Sequence, residues 1–168
     1  MKNTAKLPKR IVVKVGTSSL TSDRGALDRD RMAGLVEQMA DVKHRGVDII
    51  LVTSGAIRAG MERLDIARRP KTMPEQQASA AVGQSVLMQT YTELFSDSGI
   101  VPGQVLLTRD DFHHRMRYLN ARNTIYTLLR FGCLPIVNEN DTSRQRKFGS
   151  GKTTRFRPLW PRALTLTC

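Results

Sequence analysis

An apolar run delivers one cation into a hydroxyl-rich turn at Ile11-Val12-Val13-Lys14-Val15-Gly16-Thr17-Ser18-Ser19. These residue types suit a phosphate. Backbone N–H groups of such a turn can converge on anionic oxygens. A lysine adds full positive charge where phosphoryl transfer develops negative charge. The same letters also fit an edge-strand lysine followed by an ordinary turn. Two further clusters carry similar chemistry. Thr53-Ser54-Gly55-Ala56 follows a second apolar run, where a helix N-terminus can present N–H donors to an anion. Ser54 fits a plain helix N-cap equally well. Asn138-Glu139-Asn140-Asp141 follows a third apolar run, and a strand-to-turn cluster is its plain reading.

The elements that position these clusters alternate. Ile11–Val15 reads as a buried strand interrupted by Lys14. Asp28 can cap a helix on which Met32, Leu35, Val36 and Met39 recur at helical spacing, and Gly46 closes it. Asp48–Thr53 is a second buried strand, and a helix is expected from Ala56. Thr72 and Glu75 form a capping box with Pro74 in the first turn, ahead of a long helix to about Leu94. Val101–Leu107 predicts a third strand, Arg117–Leu129 a helix, and Cys133–Val137 a fourth strand. Such alternation predicts an α/β domain with a mainly parallel sheet and helices on both faces, a three-layer sandwich. Ligands of such sheets sit off the carboxyl ends of the strands. All three clusters stand at those ends.

A chain of 168 residues suits one domain with a real core. No apolar run reaches membrane-spanning length, and the basic Met1–Arg10 lacks the apolar segment of a signal peptide. Cys133 and Cys168 are expected as free thiols in a reducing cytoplasm. The formal charge of +12 suggests an anionic partner, but its distribution does not. Residues 143–168 hold seven basic residues and no acidic one, so twelve minus seven, +5, remains on residues 1–142. With aromatics at 5%, a nucleic-acid or membrane partner is not expected.

In order along the chain, six segments resemble the amino-acid kinase family. They are Val12–Ser18; Val52–Ile57 with Ala59-Gly60; Ala80-Ala81-Val82-Gly83-Gln84; Gln104–Arg109; Leu119–Thr124; and Pro135–Thr142. The likeness is greatest to the branch that phosphorylates the γ-carboxylate of L-glutamate with ATP, the first step of proline synthesis. The resemblance implies that Lys14 is the catalytic cation on the ATP phosphates, with Gly16, Thr17 and Ser18 beside it. It implies that Ser54, Gly55, Asn138 and Asp141 bind glutamate, with Mg2+ bridging ATP oxygens, in a homo-oligomeric parent enzyme. The rival readings are an amino-acid kinase for another substrate, a non-catalytic remnant or interaction fragment, and a basic nucleic-acid-binding protein.

After Thr142 the family pattern stops. The segment expected there, roughly Val-Ala-x-x-Glu-Ile-x-Phe-Gly-x-Asn-Asp, is replaced by Ser143-Arg144-Gln145-Arg146-Lys147-Phe148-Gly149 and an Arg/Pro-rich run. Codons permitted for this tail, read from each third base, spell V-A-T-A-E-I-R-F-G-E-N-D, which restores the segment. One base lost near the codon for Thr142 accounts for the tail and for its charge. The chain therefore divides into a basic extension (1–9), the N-terminal part of a kinase domain (10–142) and an aberrant, disordered basic tail (143–168). Without the later ATP-binding half, the chain as such is expected to be inactive. Its incomplete sheet is expected to favour aggregation. Gly149–Thr154 is a Walker-loop decoy, since the first glycine of that motif would fall on Arg146. Asn140-Asp141-Thr142 matches a glycosylation acceptor, which a cytosolic chain does not use.

Overall fold

The computed structural model describes residues 8–22, 26–143 and 164–167. Five strands form one sheet in the order β3-β4-β2-β1-β5, and every pairing is parallel. They are β1 (Arg10–Lys14), β2 (Asp48–Val52), β3 (Pro102–Leu107), β4 (Leu134–Glu139) and β5 (Leu164–Thr167). The helices are α1 (Thr17–Leu20), α2 (Arg29–His44), α3 (Ala56–Arg63), α4 (Met73–Ser96), α5 (Arg109–His113) and α6 (Arg115–Arg130).

The middles of β1, β2 and β4 are apolar because both of their faces are covered. Alternate residues feed two cores. Ile11, Val13, Val15, Ile49, Leu51, Leu134 and Ile136 pack with Met32, Val36, Leu87, Tyr91 and Phe95 from α2 and α4. Val12, Ile50, Val105, Leu107 and Val137 pack with Ile125 and Leu129 of α6. The result is the helix–sheet–helix layering read from the sequence. At the amino ends of the strands, Arg10 Nη2 donates to Asp48 Oδ2 at 2.6 Å and lies over the Tyr126 ring, a structural clasp far from the carboxyl ends.

Local chemistry explains the helix boundaries. The Asp28 carboxylate accepts from Arg31 N, and Thr72 and Glu75 complete the reciprocal capping box. Two elements escape the sequence reading. The Gly16–Ser19 turn is a one-turn helix, α1, anchored by Leu20, which is fully buried. Thr108 and Asp111 form a second capping box, which starts α5.

Most of the tail, residues 144–163 and Cys168, lies outside the described residues. Leu164–Thr167, expected without order, is the strand β5, in register from Ile11↔Leu164 to Lys14↔Thr167. The physical reason is that β1 otherwise ends the sheet with unpaired N–H and C=O groups, which a short extended segment satisfies. Lys14 is thus on an interior strand, so its edge-strand reading does not hold. Apolar exposure at a sheet edge occurs at β3 instead, where Leu106 and neighbouring Val101 are exposed. The decoy at Gly149–Thr154 lies outside the described residues, as does Cys168, while Cys133 is a free thiol. Among the described residues, no helix is long and apolar enough to cross a membrane.

Candidate functional site

Because β1, β2 and β4 are neighbours, their carboxyl ends form one continuous edge. Lys14 closes β1, exposed to solvent, with no partner among the described residues. It shares the alternation of Val12, so it belongs to the α6 face of the sheet. Val15 N still bonds Val52 O at 2.8 Å, which holds the end of β1 against β2 up to Gly16.

Ser54 stitches the two strand ends together. Its Oγ donates to Val15 O at 3.2 Å and lies 3.1 Å from Thr17 Oγ1. A hydroxyl has one proton, so Thr17 is the donor of that second contact. The plain N-cap reading of Ser54 fails. The cap position of α3 is Gly55, and no side chain caps it. Gly55 has φ of 101°, a left-handed conformation that strains any residue with a Cβ. Glycine is needed there to turn the chain from β2 into α3.

Thr53 and Asn138 face α4, and each is only 5% exposed. Thr53 Oγ1 meets Tyr91 Oη at 3.0 Å in the interior. Burial pushes the Tyr91 phenol up to about 12, with the Thr53 hydrogen bond opposing. Asn138 Nδ2 donates to Gln84 Oε1 at 2.8 Å, and Asn138 Oδ1 accepts from Glu139 N at 2.9 Å. Beyond it, Asn140 N bonds Leu107 O, and Thr142 Oγ1 donates to Asn140 Oδ1 at 2.6 Å. Asp141 opens a 3-10 turn, Asp141–Ser143, which packs on α4.

Helix α4 can supply these partners because it lies unusually close to α3. A Cβ added to Gly60 would sit 1.7 Å from Ser79 O, and one added to Gly83 would sit 1.8 Å from Ala56 O. Backbone therefore meets backbone at this crossing. That is the physical content of the Ala59-Gly60 and Ala80–Gln84 segments.

Every residue singled out from the sequence lies on this edge: Lys14, Gly16, Thr17 and Ser18 at β1, Ser54 and Gly55 at β2, Asn138 and Asp141 at β4. Sequence reasoning placed Thr53 in the second cluster and Gln84 in a family segment without giving either a role, and it missed Tyr91. Tyr91 carried the faint signal of a polar tip on the buried stripe of α4. Of the clefts elsewhere, one of 360 Å3 lies farther along α3 and α4, lined by Leu27, Arg29, Glu62 and Arg63 among others. It has no part in the strand-end edge. No group of three or more potential metal-ligating side chains occurs among the described residues.

An open parallel sheet with helices on both faces and polar groups gathered at its carboxyl edge defines an α/β domain of the doubly wound kind, the architecture in which ligands sit at that edge. The chain belongs to the amino acid kinase family, whose model matches residues 9–155 and so runs beyond Thr142. It is 54% identical over 134 residues to "Glutamate 5-kinase" of Moorella thermoacetica, covering 80% of this chain and 35% of that protein. It is 47% identical over 150 residues to "Glutamate 5-kinase" of Clostridium acetobutylicum, covering 88% of this chain and 56% of that protein. "Glutamate 5-kinase 2" of Bacillus subtilis is 47% identical over 147 residues, 86% of this chain and 40% of that protein. The chain thus spans about a third to just over half of the length of these curated relatives.

Proposed function

We propose that this chain carries the acceptor and phosphate-facing edge of a kinase that transfers the γ-phosphoryl group of ATP to the γ-carboxylate of L-glutamate. The product is glutamyl 5-phosphate, which opens proline synthesis. The adjacency of the β1, β2 and β4 carboxyl ends is the observation that carries the proposal. It gathers a cation, hydroxyls and carboxamide groups on one edge.

In the proposed reaction a γ-carboxylate oxygen attacks the γ-phosphorus in line, the bond to the β-phosphate oxygen breaks, and ADP leaves. No protein nucleophile is required. The chain's part is to position the reactants and neutralise charge. Lys14 and the amides of Gly16, Thr17 and Ser18 face the phosphates. Asp141 takes the substrate's α-ammonium. Ser54, Gly55 and Asn138 line the amino-acid side. The Ser54 proton, now given to Val15 O, must turn outward to meet a carboxylate. Mg2+ bound with ATP would supply further positive charge to the phosphates, and it belongs to the same proposal. A reducing cytoplasmic setting and a homo-oligomeric parent belong to the same proposal.

Residues 143–168 bring no counterpart of the family's Gly-x-Asn-Asp segment. We therefore expect negligible turnover from this chain, and restored turnover once the base missing near codon 142 is supplied. The test is hydroxamate formation with L-glutamate, ATP and Mg2+, run beside aspartate and acetylglutamate. Turnover by the 168-residue chain at the rate of an intact relative would overturn the inactivity. A frame-restored enzyme that prefers another acceptor would overturn the substrate. Sequencing the DNA at codon 142 decides the lost base.

A further inference from the structure

Gln84 is a residue to which the preceding reading gives no role. Its orientation can be deduced. The Glu139 N–H can only donate, so Asn138 must turn Oδ1 toward it. That fixes Asn138 Nδ2 toward Gln84, and the atom it meets at 2.8 Å must be the acceptor Oε1. Gln84 Nε2 then points away from Asn138, and it is buried with no hydrogen-bond partner among the described residues. Buried amide donors without acceptors are rare, and each calls for an explanation.

The position of Gln84 is rigidly set. Gly83, its neighbour, packs directly on the carbonyl of Ala56, which follows Ser54-Gly55 at the end of β2. Its other attachment is Asn138 at the end of β4. The turn that carries Asp141 packs on the same helix. Gln84 is therefore tied to both strand ends on the α4 face, while Lys14 ends β1 on the α6 face.

We propose that Gln84 Nε2 is a donor reserved for the α-carboxylate of the amino-acid substrate. This rests on the substrate reading above. An N–H pair cannot accept from an ammonium, so an anionic oxygen is its natural partner. The reacting γ-carboxylate must lie toward Lys14, which leaves the non-reacting carboxylate for the α4 side. Gln84 is then a positioning residue twice over. It orients Asn138 through Oε1 and anchors the substrate's far end through Nε2.

The test is a titration of the 15N-labelled 168-residue chain with L-glutamate and, separately, with 4-aminobutyrate, which lacks the α-carboxylate. L-Glutamate should shift the Gln84 side-chain amide together with the Ser54 and Asp141 backbone signals. 4-Aminobutyrate should leave the Gln84 amide in place. Gln84→Met should raise the Kd for L-glutamate about tenfold more than it raises the Kd for 4-aminobutyrate, a difference of about 1.4 kcal/mol, because both ligands feel the loss of the Asn138 contact and only L-glutamate loses the carboxylate contact. Gln84→Glu keeps an acceptor for Asn138 but sets a negative charge against the carboxylate, and should weaken L-glutamate further. Shifts at Ser54 and Asp141 with an unmoved Gln84 amide would overturn this inference alone, as would equal shifts with both ligands. Absence of any L-glutamate response would overturn it together with the substrate reading.

Discussion

On the face of the sheet covered by α4, Thr53 and Asn138 are each 5% exposed and each meets a polar partner from that helix. On the opposite face Lys14 ends β1 exposed, without a partner among the described residues. One side of the edge is organised before any ligand arrives. The other holds a charge in reserve. A buried polar group must be satisfied by the protein or it costs stability, so the α4 side is part of the fold. An exposed ammonium is already solvated, so the fold neither gains nor loses much by it. The two sides should therefore respond to mutation in different terms, one in stability and the other in phosphate binding.

The strongest way to break this contrast is Gly83→Ala. The new Cβ would meet backbone, which cannot swing aside, so α4 must lift from α3 and carry Gln84 and Tyr91 with it. We expect a loss of about 3 kcal/mol or more in urea unfolding, or no cooperative transition at all. A variant as stable as the parent would show that the helix crossing is not what holds the α4 side.

Ionising Tyr91 comes next. Its folded value of about 12 lies above the ordinary 10.0 because burial disfavours the phenolate. The raised value means that its contribution is fully present below pH 10 and is lost as pH rises toward 12. Roughly 2–3 kcal/mol of stability should disappear across that window, read by unfolding at fixed pH steps. The loss should be smaller in Tyr91→Phe. At neutral pH that variant should itself cost about 1–2 kcal/mol, because the Thr53 hydroxyl loses its interior partner. Lys14→Met sits at the small end. We expect a change in stability within about 0.5 kcal/mol, while phosphate-dependent shifts at Gly16 and Thr17 vanish in a titration with ATP. A large stability loss there would erase the distinction between the two sides.

Much of the frame was legible because its signals are local. Asp28, the Thr72–Glu75 box and the apolar runs mark α2, α4 and the central strands within a residue or two. Lys14, Ser54, Asn138 and Asp141 were legible as site candidates because polar groups at strand ends stand out against apolar runs. The signal for α5 was present in Thr108 and Asp111 but went unread. Gln84 and Tyr91 were not legible, since each acquires its meaning from a residue far along the chain, Asn138 or Thr53. The position of β5 was hidden for a different reason. Nothing in Leu164–Thr167 itself announces a partner, and the open side of β1 supplies one.

The contact at Gly60 and Gly83 also limits how this edge can move. Packed helices slide past one another by small readjustments of the side chains between them. Here α3 and α4 meet through backbone, with no such lubricating layer at the crossing. The pair must travel as a single lever. Closure around a ligand would then fall to the parts beside that lever, the short α1 helix, which packs on α2, and the turn beginning at Asp141, which packs on α4. The carboxamide of Asn138 would stay fixed as the reference against which they swing.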